Sequence, residues 1–300
     1  MRTYTYEPVE RCVMCHHTEQ RILGRRLDRH QGIRPRKVVG ISTTVVQCRG
    51  CGLIFSNPRP VPESIGDHYE KPPEQYWRPE QLETSHVGGI PLENFRHLHA
   101  GRSGALRALD VGAGLGQDML QLAHAGFDTW GLEPSSAFRE AAITRGVDPE
   151  RLQLTAVETA AYEPHRFDLI SFGAVLEHLH DPAMAVEHAL SWLAPGGLIF
   201  AEVPSARWLM GRMLNLAYRV RGLDYVTNLS PMHDPYHLYE FTREAFARHG
   251  QRVGYRLAHV EIYACETFLP KRIEPLAQRA MDLTGTGLQL AVWLTAAPGE

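Results

Sequence analysis

The run Leu109-Asp110-Val111-Gly112-Ala113-Gly114-Leu115-Gly116-Gln117 constrains this chain more than any other stretch. Its apolar start reads as a buried strand, its glycines as a tight turn, and the residues after Gly116 as a helix. A backbone without side chains at that turn lets a ligand approach closely. A dinucleotide fingerprint is spaced G-x-G-x-x-G, whereas the glycines here are spaced G-x-G-x-G. Asp110, two residues before the first glycine, is badly placed to face a pyrophosphate and well placed to face a cationic amino-acid end. The next strand ends in Gly131-Leu132-Glu133-Pro134, with Glu133 21 residues after Gly112. A carboxylate at that tip accepts hydrogen bonds from both hydroxyls of a ribose. Asp110, the loop and Glu133 together describe a site for a nucleoside joined to an amino acid.

The surroundings of this loop alternate between strand and helix patterns. Strands are expected at Leu106–Val111, Thr129–Glu133, Leu152–Ala156, Phe167–Phe172 and Leu198–Val203, with helices near 116–125, 135–145 and 182–193. After Val203 the alternation breaks, then resumes with a helix at 242–250 and strands at Arg252–Tyr263 and Leu288–Ala296, a helical segment between them. The fold expected is α/β, a doubly wound, mostly parallel, seven-stranded sheet.

Four of the five cysteines form two matched pairs, Cys12-x-x-Cys15 and Cys48-x-x-Cys51, 32 residues apart. Two residues between thiolates let one knuckle supply half of a tetrahedral zinc shell. Gly50 and Gly52 surround the second knuckle. An N-terminal zinc ribbon with a structural Zn2+ is the expectation, a disulfide or redox pair the alternative. Within it lies a basic stretch, Arg21, Arg25, Arg26, Arg29, Arg34, Arg36 and Lys37 against Asp28, which reads as a dock for an anionic substrate or as a solvated face. Pro58, Pro60 and Pro62 mark a boundary. The division expected is a ribbon over 1–62, a connecting segment of short helices over 63–104, and a ligand-binding domain over 105–300 with an insertion at about 204–241.

Composition excludes several classes. The formal net charge is −3 over 300 residues, with no global signature of polyanion binding. No apolar run approaches the ~18 residues that span a bilayer, so no membrane partner is expected. The first residues lack the apolar core of a signal peptide, which makes the cytoplasm the expected compartment. Between Tyr6 and Phe55 there is no Phe, Tyr or Trp to stack on bases, which argues against nucleic acid.

The stretch 105–203 resembles a class I S-adenosylmethionine-dependent methyltransferase. The first motif of that family matches Asp110–Gly116 and its ribose-binding acid matches Glu133. Its fourth-strand motif resembles Phe167-Asp168-Leu169-Ile170-Ser171-Phe172 followed by Val175-Leu176-Glu177-His178-Leu179, and the turn before its fifth strand resembles Leu193-Ala194-Pro195-Gly196-Gly197-Leu198. The cysteine set running into Gly52–Pro60, and the segment His233–Thr242, are similar to bacterial methyltransferases of sugar, polysaccharide and natural-product pathways. The resemblance implies S-adenosyl-L-methionine held by Asp110, Gly112, Ala113, Gly114, Gly116, Gln117, Glu133, Pro134 and Gly173. The usual acid near the adenine amino group is not evident, and Val157 and Glu158 occupy its neighbourhood.

Methyl transfer to a hydroxyl needs an aligned nucleophile and a base, for which histidine is the usual choice. His178, His237 and His233 are the candidates, His178 alternatively ordering the loop at a helix start. Tyr236 and Tyr239 are expected in the pocket wall, and Arg207 and Arg212, with Arg219 and Arg221, as a clamp on an anionic acceptor or as solvated residues of a lid. The expected acceptor is a small molecule, a sugar, nucleotide-sugar or natural-product intermediate, anionic or carrier-linked, with O-methylation favoured, and a homodimer is compatible with the sequence. Other readings are an RNA methyltransferase that grips substrate with its ribbon, a transferase using a carboxylated donor, and a non-catalytic donor-binding protein.

Overall fold

A seven-stranded sheet carries the site, six strands running one way and one against them. The computed structural model describes residues 4–29, 38–63, 89–98, 106–233, 235–265, 267 and 269–297. The strands of the large sheet are β6 (Arg107–Val111), β7 (Asp128–Leu132), β8 (Leu152–Gln153), β9 (Phe167–Gly173), β10 (Leu193–Pro204), β12 (Tyr255–Tyr263) and β13 (Gln289–Ala296). Their order is β12-β13-β10-β9-β6-β7-β8, and β13 runs antiparallel to both its neighbours. The chain moves outward from β6 to β8, then returns to β9 on the other side of β6. The crevice at that reversal, beyond the carboxyl ends of β6 and β9, is where such sheets hold ligands.

Local chemistry explains the elements. β9 reads Phe-Asp-Leu-Ile-Ser-Phe-Gly and is buried almost throughout, as a central parallel strand must be. Helix α4 (Pro182–Trp192) starts where the Asp181 carboxylate accepts from the Met184 N–H at 3.0 Å and Pro182 needs no donor partner. Helix α3 (Ser136–Thr144) is capped by Ser135, and α6 (Arg243–Val253) by Thr242, which accepts from the Ala245 N–H at 3.0 Å. α2 (Gln117–His124) packs on β6 and β7, while α6 and α7 (Glu274–Thr284) pack on β12. Two expectations need correcting. The third strand is only Leu152–Gln153, and Arg252 lies in the last turn of α6, so β12 begins at Tyr255.

The cysteine-bearing region forms β1 (Tyr4–Glu7) paired with β5 (Arg59–Pro62), and a hairpin of β2 (Gln20–Arg29) and β3 (Val38–Cys48) followed by β4 (Ile54–Ser56). Its sheet is completed by β11 (Tyr239–Glu240), which comes from the far insertion and gives the order β11-β4-β3-β2. Val45 and Ile54 of the ribbon share a small core with Val226 and Leu229 of the insertion. The insertion thus folds on the ribbon, with α5 (Leu209–Val220) along its outside. α1 (Leu92–Leu98) buries Phe95 edge-on to Phe127 at 5.3 Å. The rest of the expected connection, 64–88 and 99–105, lies outside the described residues, as do Arg34, Arg36 and Lys37 of the basic stretch. Among the described residues no helix is long and apolar enough to cross a membrane.

Candidate active site and metal centre

The three glycines of the loop do three different things. Gly112, Gly114 and Gly116 all have positive φ, at 72°, 54° and 76°. A Cβ on Gly112 would collide with Val175, and one on Gly116 with Val147 and Ala142 of the neighbouring helix, so these two are required by packing. Above Gly114 the nearest heavy atom is the Gly112 carbonyl oxygen at 3.9 Å, so this glycine faces open space. Gly112 and Ala113 donate their N–H groups to the Leu132 carbonyl at 2.8 and 2.9 Å, and Gly114 donates to Glu133 Oε2 at 2.8 Å. The other Glu133 oxygen accepts from the Ser135 N–H at 2.8 Å. Both oxygens therefore brace the loop, and each keeps a lone pair for a ligand hydroxyl.

Acids crowd this crevice. Asp110 is 3% exposed and accepts from the Ser171 hydroxyl at 2.7 Å. Burial, then the neighbouring Asp118 carboxylate, pushes its carboxyl well above the usual range. Burial also raises Glu133 against the pull of its two backbone donors. Three neighbouring carboxyls, two of them buried, suit a cationic ligand, which restores their charged forms. An S-adenosylmethionine carries such charge on both its ammonium and its sulfonium, so donor set and ligand fit.

A second cluster sits one turn beyond β9. The His178 N–H closes a turn on the Val175 carbonyl at 2.9 Å, and Val175 abuts Gly112, so this histidine lies beside the glycine loop. His178 Nδ1 lies 3.3 Å from the Tyr236 carbonyl oxygen, which only accepts. The proton is therefore on Nδ1. The His237 ring meets it edge-on, centroids 5.0 Å apart, and His237 Nε2 lies 3.9 Å from Glu177 Oε1. Glu177 is 1% exposed, and its Oε2 has no hydrogen-bond partner among the described residues. Burial pushes the Glu177 carboxyl up to about 8 and the His178 imidazole down to about 4, and drives His237 well below its ordinary value. Nearby, Glu202 at the end of β10 is raised by burial to about 7 and accepts from the Tyr263 hydroxyl. The imidazoles are neutral at pH 7. Glu177, His178 and His237 also bring ligand atoms within 4.8 Å of one another, a donor set of the kind that holds a divalent cation.

The remaining sequence candidates scatter. Gly173 is exposed at the end of β9, opposite Asp118, and Gln117 and Pro134 flank the crevice. Val157 turns into the core, its carbonyl 3.3 Å from His188 Nδ1, leaving half-buried Glu158 and exposed Leu154 beyond β8. His233 is buried with Nε2 3.4 Å from Arg26 Nη2, in the contact between ribbon and insertion. The Asp234 beside it lies outside the described residues. Tyr236 is buried, at a positive φ of 62°, and offers its carbonyl to His178. Tyr239 is buried and its hydroxyl is bonded within the protein. Its hydroxyl accepts from Arg59 at 2.8 Å and donates to the His180 carbonyl at 3.0 Å, tying β5 and β11 to the large domain. Arg207 and Arg212 are exposed. Glu177, Asp118 and Glu202 carry no role in the sequence reading. For Glu177 and Glu202 the signal is an acid closing an otherwise apolar run, as in Leu198-Ile199-Phe200-Ala201-Glu202; Asp118 has no such signal.

The four cysteines converge. Cys12 and Cys51 sulfurs are 3.6 Å apart, Cys15 and Cys48 3.5 Å, and all four lie within 4.8 Å of one another. Tetrahedral zinc with bonds near 2.3 Å sets sulfurs about 3.8 Å apart, so the set fits that ion. Gly52, at φ 79°, turns the second knuckle, and a Cβ on Gly50 would strike His17. The knuckles are fastened to the large domain: Thr242 donates to the Cys51 carbonyl at 2.6 Å and Arg252 to that of Met14 at 2.7 Å.

Comparison with known proteins agrees with this geometry. A family profile described as a methyltransferase domain matches residues 80–260. The ubiquinone biosynthesis O-methyltransferase of Klebsiella pneumoniae is 31% identical over 155 residues, 47% of this chain and 61% of the relative. That of Aeromonas salmonicida is 28% identical over 164 residues, 51% of this chain and 65% of the relative. The chain thus matches somewhat over three fifths of these relatives' length. A chain from the complex of the Haloferax volcanii Trm112 methyltransferase activator with a methyltransferase superposes with a TM-score of 0.50 at 15% identity, covering 79% of this chain and 99% of that one. At that identity the likeness shows the fold.

Proposed function

This chain belongs to the methyltransferase-domain family, and on that premise we propose that it moves a methyl group from S-adenosylmethionine to a hydroxyl of a small-molecule acceptor. The donor supplies an activated methyl whose carbon–sulfur bond breaks as the oxygen–carbon bond forms, the electron pair leaving with a neutral thioether. The protein's part is to hold, align and deprotonate. Asp110 and Asp118 face the cationic end, Glu133 the ribose, and Gly114 leaves room for the chain between them. His237, whose side chain is 26% exposed, takes the acceptor's proton on Nε2, 3.9 Å from Glu177 Oε1, and the imidazolium so formed favours the charged form of that otherwise neutral carboxyl. His178 orders the site through its bond to Tyr236 and its ring contact with His237.

The observation that carries this reading is the cluster of buried Glu177 with half-buried His178 and His237 next to a glycine loop ringed by acids. Relatives named for ubiquinone O-methylation favour a phenolic or similar hydroxyl as acceptor. We assign the four cysteines a structural zinc. With no open coordination position it takes no part in the chemistry. The test is transfer of a labelled methyl from S-adenosylmethionine to a panel of catechols and sugars, by the wild type and His237→Gln. Loss of ~10²–10⁴-fold in kcat with donor affinity unchanged is expected. Equal turnover by the variant would remove His237 from the mechanism. A second reading is favoured by the ligand-atom spacing of the same three side chains: a divalent cation there would bind and acidify the acceptor oxygen. Turnover abolished by chelation that leaves the cysteine-bound zinc in place, and restored by Mg2+, would decide for it.

A further inference from the structure

Helix α5 is inside out. Gly211, its one fully buried residue, faces Trp208, and half-buried Asn215 is bound to Thr227 and Asn228, its carbonyl oxygen accepting from the Thr227 N–H at 2.7 Å. The side turned to solvent carries Met213, Leu216 and Val220, spaced i, i+3 and i+7 and therefore in one stripe. Leu216 is 60% exposed and Val220 80%. A surface helix normally turns its apolar stripe inward, so this stripe is built for something outside the fold.

Charge says what that is. Between Glu202 and Asp224 there is no acid, and Arg207, Arg212, Arg219 and Arg221 are all exposed. The surface continues onto the ribbon, where Arg219 donates to the Leu23 carbonyl at 3.4 Å and Arg25 pairs with Asp224 at 2.7 Å. There Ile22 is 71% exposed on edge strand β2, beside exposed Arg21. An apolar stripe edged by arginines is the pattern of a helix lying in a membrane interface, apolar side chains among the acyl chains and guanidinium groups on the headgroups. A second copy of the same face would bring its own arginines against these, which like-charge repulsion opposes. Nucleic acid would leave the aliphatic stripe uncovered.

We propose that α5 and the adjoining edge of β2 dock this protein reversibly on an anionic lipid surface. The interface is peripheral. It calls for no spanning segment, which is why counting apolar runs misses it. On the function proposed above, it would bring the site to acceptors carried in the bilayer, but docking itself requires no turnover.

The test is co-sedimentation of the full chain with vesicles of phosphatidylcholine alone or with one third phosphatidylglycerol. Binding to the anionic vesicles that falls steeply with salt is expected. Leu216→Gln with Val220→Gln should weaken it about tenfold or more, and Arg212→Gln with Arg221→Gln about fivefold for each arginine removed. Circular dichroism and thermal unfolding establish that both variants fold. No binding to anionic vesicles, or binding indifferent to the aliphatic variant, overturns the proposal. So does an apolar face consumed by a dimer that Leu216→Gln and Val220→Gln dissolve, or a preference for RNA over vesicles. Because only sedimentation is read, an inactive but binding protein would refute the methyltransferase mechanism and leave the docking surface standing.

Discussion

Substituting alanine at Gly114 and at Gly116 separates ligand approach from packing within one loop. At Gly116 the new Cβ would collide with Val147 and stand 3.1 Å from Ala142 Cβ, at a φ of 76°. A non-glycine residue there costs about 1–2 kcal/mol in backbone strain, and overpacking a filled site adds about 1–3 kcal/mol. Gly116→Ala should lose roughly 2–5 kcal/mol in all. At Gly114, φ 54°, only the strain applies, because nothing but the Gly112 carbonyl lies within 4 Å. Gly114→Ala should therefore lose no more than about 1–2 kcal/mol of stability. Its methyl nonetheless intrudes on the space assigned to the donor, so S-adenosylmethionine affinity should fall at least about tenfold, the ~1.4 kcal/mol that one displaced contact supplies. Urea unfolding gives the first quantity and calorimetric titration the second. Gly114→Ala with donor affinity within twofold of wild type would refute the assignment of that space.

The same contacts lead to three further outcomes. Metal analysis should find about one zinc per chain, and Cys48→Ser should abolish it and lower Tm, while the fraction that folds keeps its donor affinity. Tyr239→Phe should cost about 1–2 kcal/mol of stability by leaving Arg59 short of an acceptor, with kcat/KM unchanged, whereas a Tyr239 that binds substrate would raise KM. The carboxyl of Glu177, about 8 when folded against 4.5 unfolded, makes the native state bind more protons over that window, so its contribution to stability falls as pH rises from about 5 to 8. Glu177→Gln should gain on the wild type between pH 5.5 and 8.5 in urea unfolding, and a constant difference would contradict the burial argument. His178, held near 4, acts oppositely: its contribution is complete above 6.5 and lost as pH falls toward 4.

The parts of this fold that sequence makes plain are those whose physics is local. An apolar strand entering clustered glycines, the capped starts of α3 and α4, and two cysteine knuckles each declare themselves within a dozen residues. The reading of three equivalent glycines misses their division of labour, because Val147, Ala142 and Val175 reach the loop from elsewhere in the chain. β11 is a two-residue strand whose partner, Phe55 opposite Tyr239, stands 184 residues away. No periodicity of 2 can be read from two residues, so the union of insertion and ribbon is hidden, and with it the place of Tyr239. Glu177 precedes a histidine that draws more attention, and its importance lies in full burial, which only the packed structure gives. The arginines of α5 are legible as charge. Their partners, the outward aliphatic residues, read as an ordinary lid because the inward face of a helix cannot be told from its sequence alone when that face is glycine and asparagine.

The central claim is that the acid-ringed loop binds a sulfonium nucleoside. Calorimetric titration with S-adenosylmethionine, its carboxylated analogue and NAD, repeated on Asp110→Ala, tests it most directly. Binding of a sulfonium donor, lost in the variant, with NAD inert, is the predicted result. Binding of NAD alone, or a donor affinity that survives removal of Asp110, would contradict it.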